Sequence, residues 1–299
     1  MIQLKSAGEI DTIAVAGAIV REVLDMAAAD VRPGMSTGQL DRAAEEMIRS
    51  HSGATPAFKG LYGFPGTLCT SVNDEVVHGI PSFERTLEDG DILSVDVGVE
   101  LDGLFADAAV TVPVGTISSE TRRLLDVTSR SLEIGVEAAR PGDRLGDVGS
   151  AIQTYVEDAG FSVIRELVGH GVGHAPHEEP QVPNFGTRGR GPRMDVGLVI
   201  AIEPMVNQGS RWIRTLDDEW TVVTTDGSLS AHFEHTVAVT AEGPRVLTAV
   251  PSGTPAREGF AVSRSLEDSS GSRTPGVRGT QEERGGRRWP RISAARGPR

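Results

Sequence analysis

Residues 92–112 read ILSVDVGVELDGLFADAAVTV, and this stretch decides the fold. Two apolar runs flank Asp102-Gly103, a dipeptide that strongly favours a two-residue β-turn, so the stretch predicts an antiparallel hairpin. A turn at these residues places Asp96 and Asp107 on one face as diagonal neighbours, at most roughly 7 Å apart. Gly98 is a candidate position for a β-bulge that would alter this register.

Asp96 and Asp107 are therefore candidate ligands of a cation. Two carboxylates this close repel each other and are costly to bury unless a cation neutralises them. Their sequence neighbours are apolar on both faces of the strands, which favours burial. The alternative is that both aspartates lie on the exposed face of a surface hairpin.

The sequence around the hairpin repeats one pattern. Apolar residues recur at three- and four-residue spacing before Arg-Pro-Gly at 32–34 and again before Arg-Pro-Gly at 140–142, and a second apolar-periodic segment follows each tripeptide. Ser36 with Gln39 forms a capping-box pattern at the start of one of these segments. The pattern predicts a duplicated helix-helix-strand unit, with two halves related by an approximate two-fold.

The strand of the second half also brings an acid. Glu203 follows an apolar run 107 residues after Asp96, and Glu234 lies inside a second strand-like run, 230–240. His170 stands between glycines, which predict a loop, and His78 closes an apolar strand. Four carboxylates on β structure suit a pair of divalent ions.

Composition narrows the class of protein. The 299 residues are 38% hydrophobic and 24% charged, and no apolar run approaches the roughly 18 residues of a membrane-spanning helix. The N-terminal segment lacks the basic leader of a signal peptide, so we expect a cytoplasmic protein. The single cysteine, Cys69, excludes disulfide frameworks and thiolate zinc clusters, so His, Asp and Glu must hold any metal.

Charge divides the chain into two parts. The net charge is −13, yet residues 254–299 contain ten arginines and five acids, which leaves −18 on the rest. An acidic core argues against specific nucleic-acid binding, whereas the basic segment leaves a weak contact with the ribosome open. We expect one domain over 1–250 and an Arg/Gly/Ser/Pro-rich, disordered segment over 251–299.

Six ordered segments resemble the type I methionine aminopeptidases over residues 3 to 249. They are Val76–Pro81 (VVHGIP), Gly90–Asp96 (GDILSVD), Gly169–Gly173 (GHGVG), Pro176–Pro180 (PHEEP), Ile202–Asn207 (IEPMVN) and Phe233–Thr236 (FEHT). The resemblance implies an α/β (α+β) pita-bread fold, in which pseudo-two-fold halves surround a central antiparallel sheet. The type II subclass has a long insertion between His177 and Glu203, which are only 26 residues apart here.

The resemblance also implies a site and an activity. Two divalent ions, cobalt, manganese, iron or zinc, would be bound by Asp96, Asp107, His170, Glu203 and Glu234, with Asp107 and Glu234 bridging. Glu203 would shuttle a proton, and His78 and His177 would contact the substrate. The methionine pocket would use Phe58, Tyr62, Phe64, Cys69 and Trp220. The implied substrates are nascent polypeptide N-termini with a small second residue, and we expect a monomer.

Two other functions remain open on the sequence. A prolidase or aminopeptidase P would use the same five ligands, but such enzymes normally place a separate domain before them, and only about 90 residues precede Asp96. A non-catalytic pita-bread protein that binds RNA or a protein partner would usually have lost ligands, whereas all five are present.

Overall fold

The computed structural model describes residues 1–249. These residues form four helices and fifteen strands. The helices are α1 (Ala7–Asp30), α2 (Thr37–Ser50), α3 (Ser119–Ala138) and α4 (Leu145–Asp158), and a 3₁₀ turn spans Leu61–Gly63. The strands are β1 (Ala54–Pro56), β2 (Leu68–Val72), β3 (Glu75–Val77), β4 (Ile92–Leu101), β5 (Leu104–Pro113), β6 (Ser162–Val163), β7 (Gly169–Gly171), β8 (Glu178–Val182), β9 (Val199–Ile202), β10 (Met205–Asn207), β11 (Ile213–Thr215), β12 (Val222–Thr224), β13 (Ser230–His232), β14 (His235–Thr240) and β15 (Gly243–Val246).

The hairpin predicted at 92–112 is β4 paired with β5. Asp96 lies opposite Ala109 and Gly98 lies opposite Asp107, as expected from the Asp102-Gly103 turn. The register is continuous, so the bulge considered at Gly98 is absent. Gly98 has a packing role instead, since a Cβ there would lie 2.7 Å from Cε1 of Phe58.

The predicted duplication is confirmed. Gly34 and Gly142 end the two Arg-Pro-Gly turns with φ of 86° and 92°, and their N–H groups donate to Leu87 and Met194, each at 2.8 Å. A left-handed backbone costs glycine little, which explains its place in both turns. Ser36 caps α2 with the predicted capping box. Each half therefore contains two helices joined by an Arg-Pro-Gly turn, and in each half a backbone hydrogen bond links that turn to a later segment of the chain.

All strand pairs are antiparallel, and they form four sheets. The largest has the order β15-β14-β9-β7-β8, and a four-stranded sheet combines β1, β4 and β2 with β5. Helix α1 packs on β4 and β5, where its periodic apolar positions are buried. The mixture of helices with antiparallel sheets confirms the expected α+β class.

The second half contains an interrupted counterpart of the hairpin. β9 ends at Ile202 and β10 begins at Met205, while β13 ends at His232 and β14 begins at His235. Ile202 pairs with His235 and Met205 with His232, so the register puts Glu203 opposite Glu234 within the interruption. The expectation that Glu234 lies inside one continuous strand is therefore wrong, because its N–H donates to Ala109 on β5 instead.

The loop predicted for the glycine-flanked segment around His170 is also wrong. It forms strand β7 rather than a loop. A Cβ on Gly169 would lie 2.3 Å from the Ala201 carbonyl oxygen, and one on Gly171 would lie 2.4 Å from that of Glu179. The glycines thus permit close packing of neighbouring strands, and this packing is why they do not mark an irregular backbone.

Within residues 1–249, no helix combines the length and hydropathy needed to cross a membrane. The predicted disordered segment, 251–299, lies outside the described residues.

Candidate active site

A cavity of about 290 Å³ lies where the two hairpins meet. All twelve site residues predicted from the sequence line it: Phe58, Tyr62, Phe64, Cys69, His78, Asp96, Asp107, His170, His177, Glu203, Trp220 and Glu234. Its wall also includes His232 and Met205. Acids gather at one end, and apolar side chains form much of the remaining surface.

The acidic end has the donors of a metal site. One ligand atom each from Asp107, His170 and Glu234 lies within 4.8 Å of the others. Nε2 of His170 lies 3.4 Å from Oε1 of Glu203 and 3.6 Å from Oδ2 of Asp107. Asp96 borders the same cavity on the neighbouring strand. Carboxylate oxygens and an imidazole nitrogen suit divalent transition metals.

Burial makes these carboxylates costly to ionise together. It raises the pKa of Asp96, Glu203 and Glu234 well above their usual values, and the charges of the neighbouring acids add to the effect. Burial also raises the pKa of Asp107, although His170 and a hydrogen bond from Thr236 oppose that shift. A multivalent cation would remove this repulsion.

The hydrogen bonds around the acids fit a cation in the same way. Oδ1 of Asp96 is buried and has no hydrogen-bond partner among the described residues. Nδ1 of His170 donates to the carbonyl oxygen of Gly171 at 3.0 Å, which directs Nε2 toward the carboxylates of Asp107 and Glu203. Both features are those expected of ligands that are oriented before a metal binds.

Asp107 is held by a residue of the opposite hairpin. The Thr236 hydroxyl accepts the Asp107 N–H at 3.1 Å, and its one proton is shared between the Asp107 carbonyl oxygen at 2.8 Å and Oδ1 of Asp107 at 2.9 Å. Asn184 similarly donates to the backbone carbonyl of Glu203 at 2.9 Å. Such partners fix the direction of a ligand carboxylate.

Two further histidines border the acidic end. The ring of His177 lies 4.5 Å from that of His170, centroid to centroid, and 6.4 Å from that of Tyr62. Partial burial, His170 and His78 lower the pKa of His177 to about 4, and burial lowers the pKa of His78. Both are neutral at pH 7, and a neutral imidazole offers one N–H donor.

The apolar wall comes from three parts of the chain. Phe58, Phe64 and Cys69 form one buried cluster, against which Trp220 packs. The rings of Phe64 and Trp220 meet edge to face at 5.1 Å. Tyr62 lies at the rim and is 80% exposed, with a left-handed φ of 52°. A non-glycine residue in that region stores strain, which is more often found at functional sites.

Sequence reasoning missed the supporting residues. Thr236 and Met205 lie within the quoted segments, but neither was given a role. His232 is buried, and its Nε2 lies 3.9 Å from Oε2 of Glu203. No sequence spacing predicts that a threonine or an asparagine will hydrogen-bond to a candidate metal ligand, because the two residues lie in distant segments of the chain.

Comparisons with known proteins agree with this geometry. The model of metallopeptidase family M24 matches residues 11–241. The methionine aminopeptidase of Clostridium perfringens is 55% identical over 251 residues, which are 84% of this chain and 100% of that protein. The chain belongs to the type I methionine aminopeptidases of family M24.

Other members of the methionine aminopeptidase family are similar along the same residues. Methionine aminopeptidase 1 of Bacillus subtilis is 51% identical, over 84% of this chain and 100% of that protein. The crystal structure of methionine aminopeptidase from Rickettsia prowazekii superposes with a TM-score of 0.81 at 39% identity, over 83% of this chain and 100% of that one. The pita-bread fold expected from the resemblance is thereby confirmed.

The prolidase alternative is not favoured. Prolidase from Pyrococcus furiosus superposes with a TM-score of 0.68 at 22% identity, and the match covers 65% of that chain. That likeness concerns the fold alone. A non-catalytic binding protein is not favoured either, since the relatives named above are aminopeptidases.

Proposed function

We propose that this chain removes the N-terminal methionine from nascent proteins and peptides, with a preference for a small second residue. The observation that carries the proposal is the convergence of five metal-type donors at one end of a cavity with apolar walls. The apolar part suits a flexible thioether side chain, and the acidic end suits a free amino terminus.

The proposed metal site uses Asp96, Asp107, His170, Glu203 and Glu234 to bind two divalent ions, cobalt, manganese, iron or zinc. Asp107 and Glu234 are proposed as the bridging ligands. Ions bound there would supply a hydroxide near neutral pH and polarise the scissile carbonyl. Two ions would also neutralise the four carboxylates, whose buried repulsion supports the assignment.

The side chains around the ions have separate proposed roles. Glu203 accepts a proton from the attacking water and delivers it to the leaving amide nitrogen. His78 and His177, both neutral, donate hydrogen bonds to the substrate amide and to the developing oxyanion. Tyr62 and the cluster of Phe58, Phe64, Cys69 and Trp220 enclose the methionine side chain.

We also propose that the chain acts as a cytoplasmic monomer on N-termini that emerge from the ribosome. The five donors and the described cavity wall belong to one chain, so the proposed reaction needs no second copy. The single buried cysteine is compatible with a reducing compartment.

Peptide hydrolysis after metal removal tests the proposal. Chelated enzyme should be inactive on Met-Ala-Ser, and adding back cobalt, manganese, iron or zinc one at a time should restore cleavage with about two ions per chain. An acetylated Met-Ala-Ser and an X-Pro peptide are the controls and should remain uncut. Efficient X-Pro cleavage, or hydrolysis of the blocked peptide, would contradict the proposal.

A further inference from the structure

The N-terminal segment is tied to the turn that carries His177. The side chain of Lys5 is 1% exposed, and its ammonium group donates to a carboxylate oxygen of Glu178 and to the Gln3 carbonyl at 3.0 Å. The Lys5 N–H donates to Gly197 at 2.7 Å. A buried lysine therefore links the first residues of the chain to a segment more than 170 positions away.

Glu178 closes that turn with its other oxygen. Oε1 accepts the N–H of His174 at 2.6 Å and the N–H of Ala175 at 3.1 Å. The Gly173 carbonyl accepts the Phe105 N–H at 2.8 Å, which ties the start of the turn to β5. The backbone on both sides of His177 is thus fixed by one carboxylate and its lysine.

Packing and polar contacts reinforce the link. A Cβ on Gly173 would lie 2.1 Å from Cε of Lys5, so the lysine stem lies directly against the turn. The ring of His174 contacts Gln3 at 3.1 Å and Glu9 at 2.7 Å. Residues 3–9 therefore hold the turn through several independent contacts.

The ring of His177 has no hydrogen bond to any of residues 1–249, and it lies beside the rings of His170 and Tyr62, at centroid distances of 4.5 and 6.4 Å. Its place beside the metal-type donors is consequently set by the backbone of the turn. A buried ion pair is weak evidence for stability, because an apolar pair of similar volume is often as stable. An ion pair does, however, define one geometry of the groups that it joins.

We propose that Lys5 is a positioning residue that acts through Glu178 to hold His177 against the substrate. This role rests on the proposed function, in which His177 donates a hydrogen bond to the reacting amide. Displacing a catalytic donor by about 1 Å can lower the rate roughly a hundredfold. Lys5→Met keeps the length of the stem and removes the charge. It should lower kcat on Met-Ala-Ser by about ten- to a hundredfold, with little change in KM or in bound metal.

A double-mutant cycle separates positioning from a general structural role. In a His177→Ala background, Lys5→Met should cause no further loss of kcat, because the donor that it positions is already gone. Arg245→Met is the matched control, since Arg245 forms an exposed ion pair with Asp11 of α1 at 2.9 Å. It should leave kcat unchanged in either background.

If Lys5→Met fails to fold, Lys5→Met/Glu178→Gln replaces it in the cycle. This pair removes both buried charges and keeps an oxygen acceptor for His174 and Ala175, and the same non-additive loss is expected. Additive losses, an unchanged kcat or a fall in bound metal would overturn the positioning role. A wild-type chain that does not cleave Met-Ala-Ser would instead remove the proposed function, and this role with it.

Discussion

Each half of the fold contains a hairpin with two acids, and the two hairpins differ in continuity. β4 and β5 pair without interruption, so Asp96 and Asp107 are diagonal neighbours on a regular sheet. In the other half the strands stop at Glu203 and Glu234, which lie opposite each other. The continuous hairpin gives rigid support, whereas the interrupted one releases backbone groups for contacts outside its own ladder.

One of those released groups joins the two hairpins, because the Glu234 N–H donates to Ala109, the residue opposite Asp96, at 2.9 Å. The released Glu203 carbonyl accepts instead from Asn184, which follows β8 in the same half. A duplicated scaffold can therefore acquire a closed site when one copy loses part of its strand pairing.

Removing a ligand charge from the continuous hairpin should have the largest effect. Asp96→Asn takes one negative charge from a site proposed to offset two divalent ions, so metal affinity and kcat should fall by about a thousandfold or more. Metal analysis and Met-Ala-Ser hydrolysis measure both. Asp102→Asn, in the exposed turn of the same hairpin, is the control and should be silent, because asparagine tolerates its φ of 51°. Normal turnover with two ions in Asp96→Asn would exclude the ligand role.

The two neighbouring histidines should separate metal binding from catalysis. His170→Ala should lose bound metal and therefore rate. His177→Ala should keep its metal and lose roughly two to three orders of magnitude in kcat, because only a donor to the transition state is removed. Steady-state kinetics on metal-analysed samples distinguish the two. Loss of metal from His177→Ala would show that the division of roles is wrong.

Two buried threonines test the contacts between the hairpins. Thr236→Val removes the hydroxyl that orients Asp107 and should weaken metal binding about ten- to a hundredfold. Thr111 makes the equivalent bonds to both backbone groups of His232, at 2.8 and 2.9 Å, but its side-chain partner is the Ser94 hydroxyl at 2.8 Å rather than a carboxylate. Thr111→Val should thus cost roughly 1–3 kcal/mol of unfolding free energy without a comparable loss of metal affinity. Calorimetric titration and denaturation measure these quantities, and equal metal affinities in the two variants would refute the distinction.

The smallest effect concerns the repeated turn. Gly34→Ala and Gly142→Ala should each lower the unfolding free energy by about 1–2 kcal/mol, since both positions have a left-handed φ. The costs should be similar and additive, as the two glycines have different hydrogen-bond partners. Gly8→Ala, within α1 and with open space around it, should be neutral or stabilising. Chemical denaturation measures these free energies. A loss for only one of the two substitutions would contradict the prediction and would show that the two turns are not equivalent.

The features that were predictable from sequence depend on short-range signals. The Asp102-Gly103 turn determined the register of β4 and β5, and it therefore placed Asp96 beside Asp107. The Arg-Pro-Gly turns marked the duplication because each ends in a glycine with positive φ. The quoted motifs also supplied the histidines, whereas the resemblance to the methionine aminopeptidases supplied the pocket residues that line the cavity.

The features that were missed depend on contacts between distant segments. The glycines around His170 predict a loop, but in β7 they allow the carbonyl groups of adjacent strands to approach closely. The break at Glu234 could not be seen, since the group that receives its N–H lies on β5. The contact of Lys5 with Glu178 likewise has no local signature.

The Thr236 contact with Asp107 joins residues 129 positions apart, so it cannot form until late in the synthesis of the domain. During synthesis, a chain that has emerged only to Glu203 contains four of the five donors but lacks both Glu234 and the hydroxyl that orients Asp107. Contacts of such long sequence separation form slowly, because the entropy lost in closing the intervening loop must be offset before the contact stabilises the chain. Metal capture at the proposed site would then require the complete domain, because a partly made chain lacks the last of the five donors.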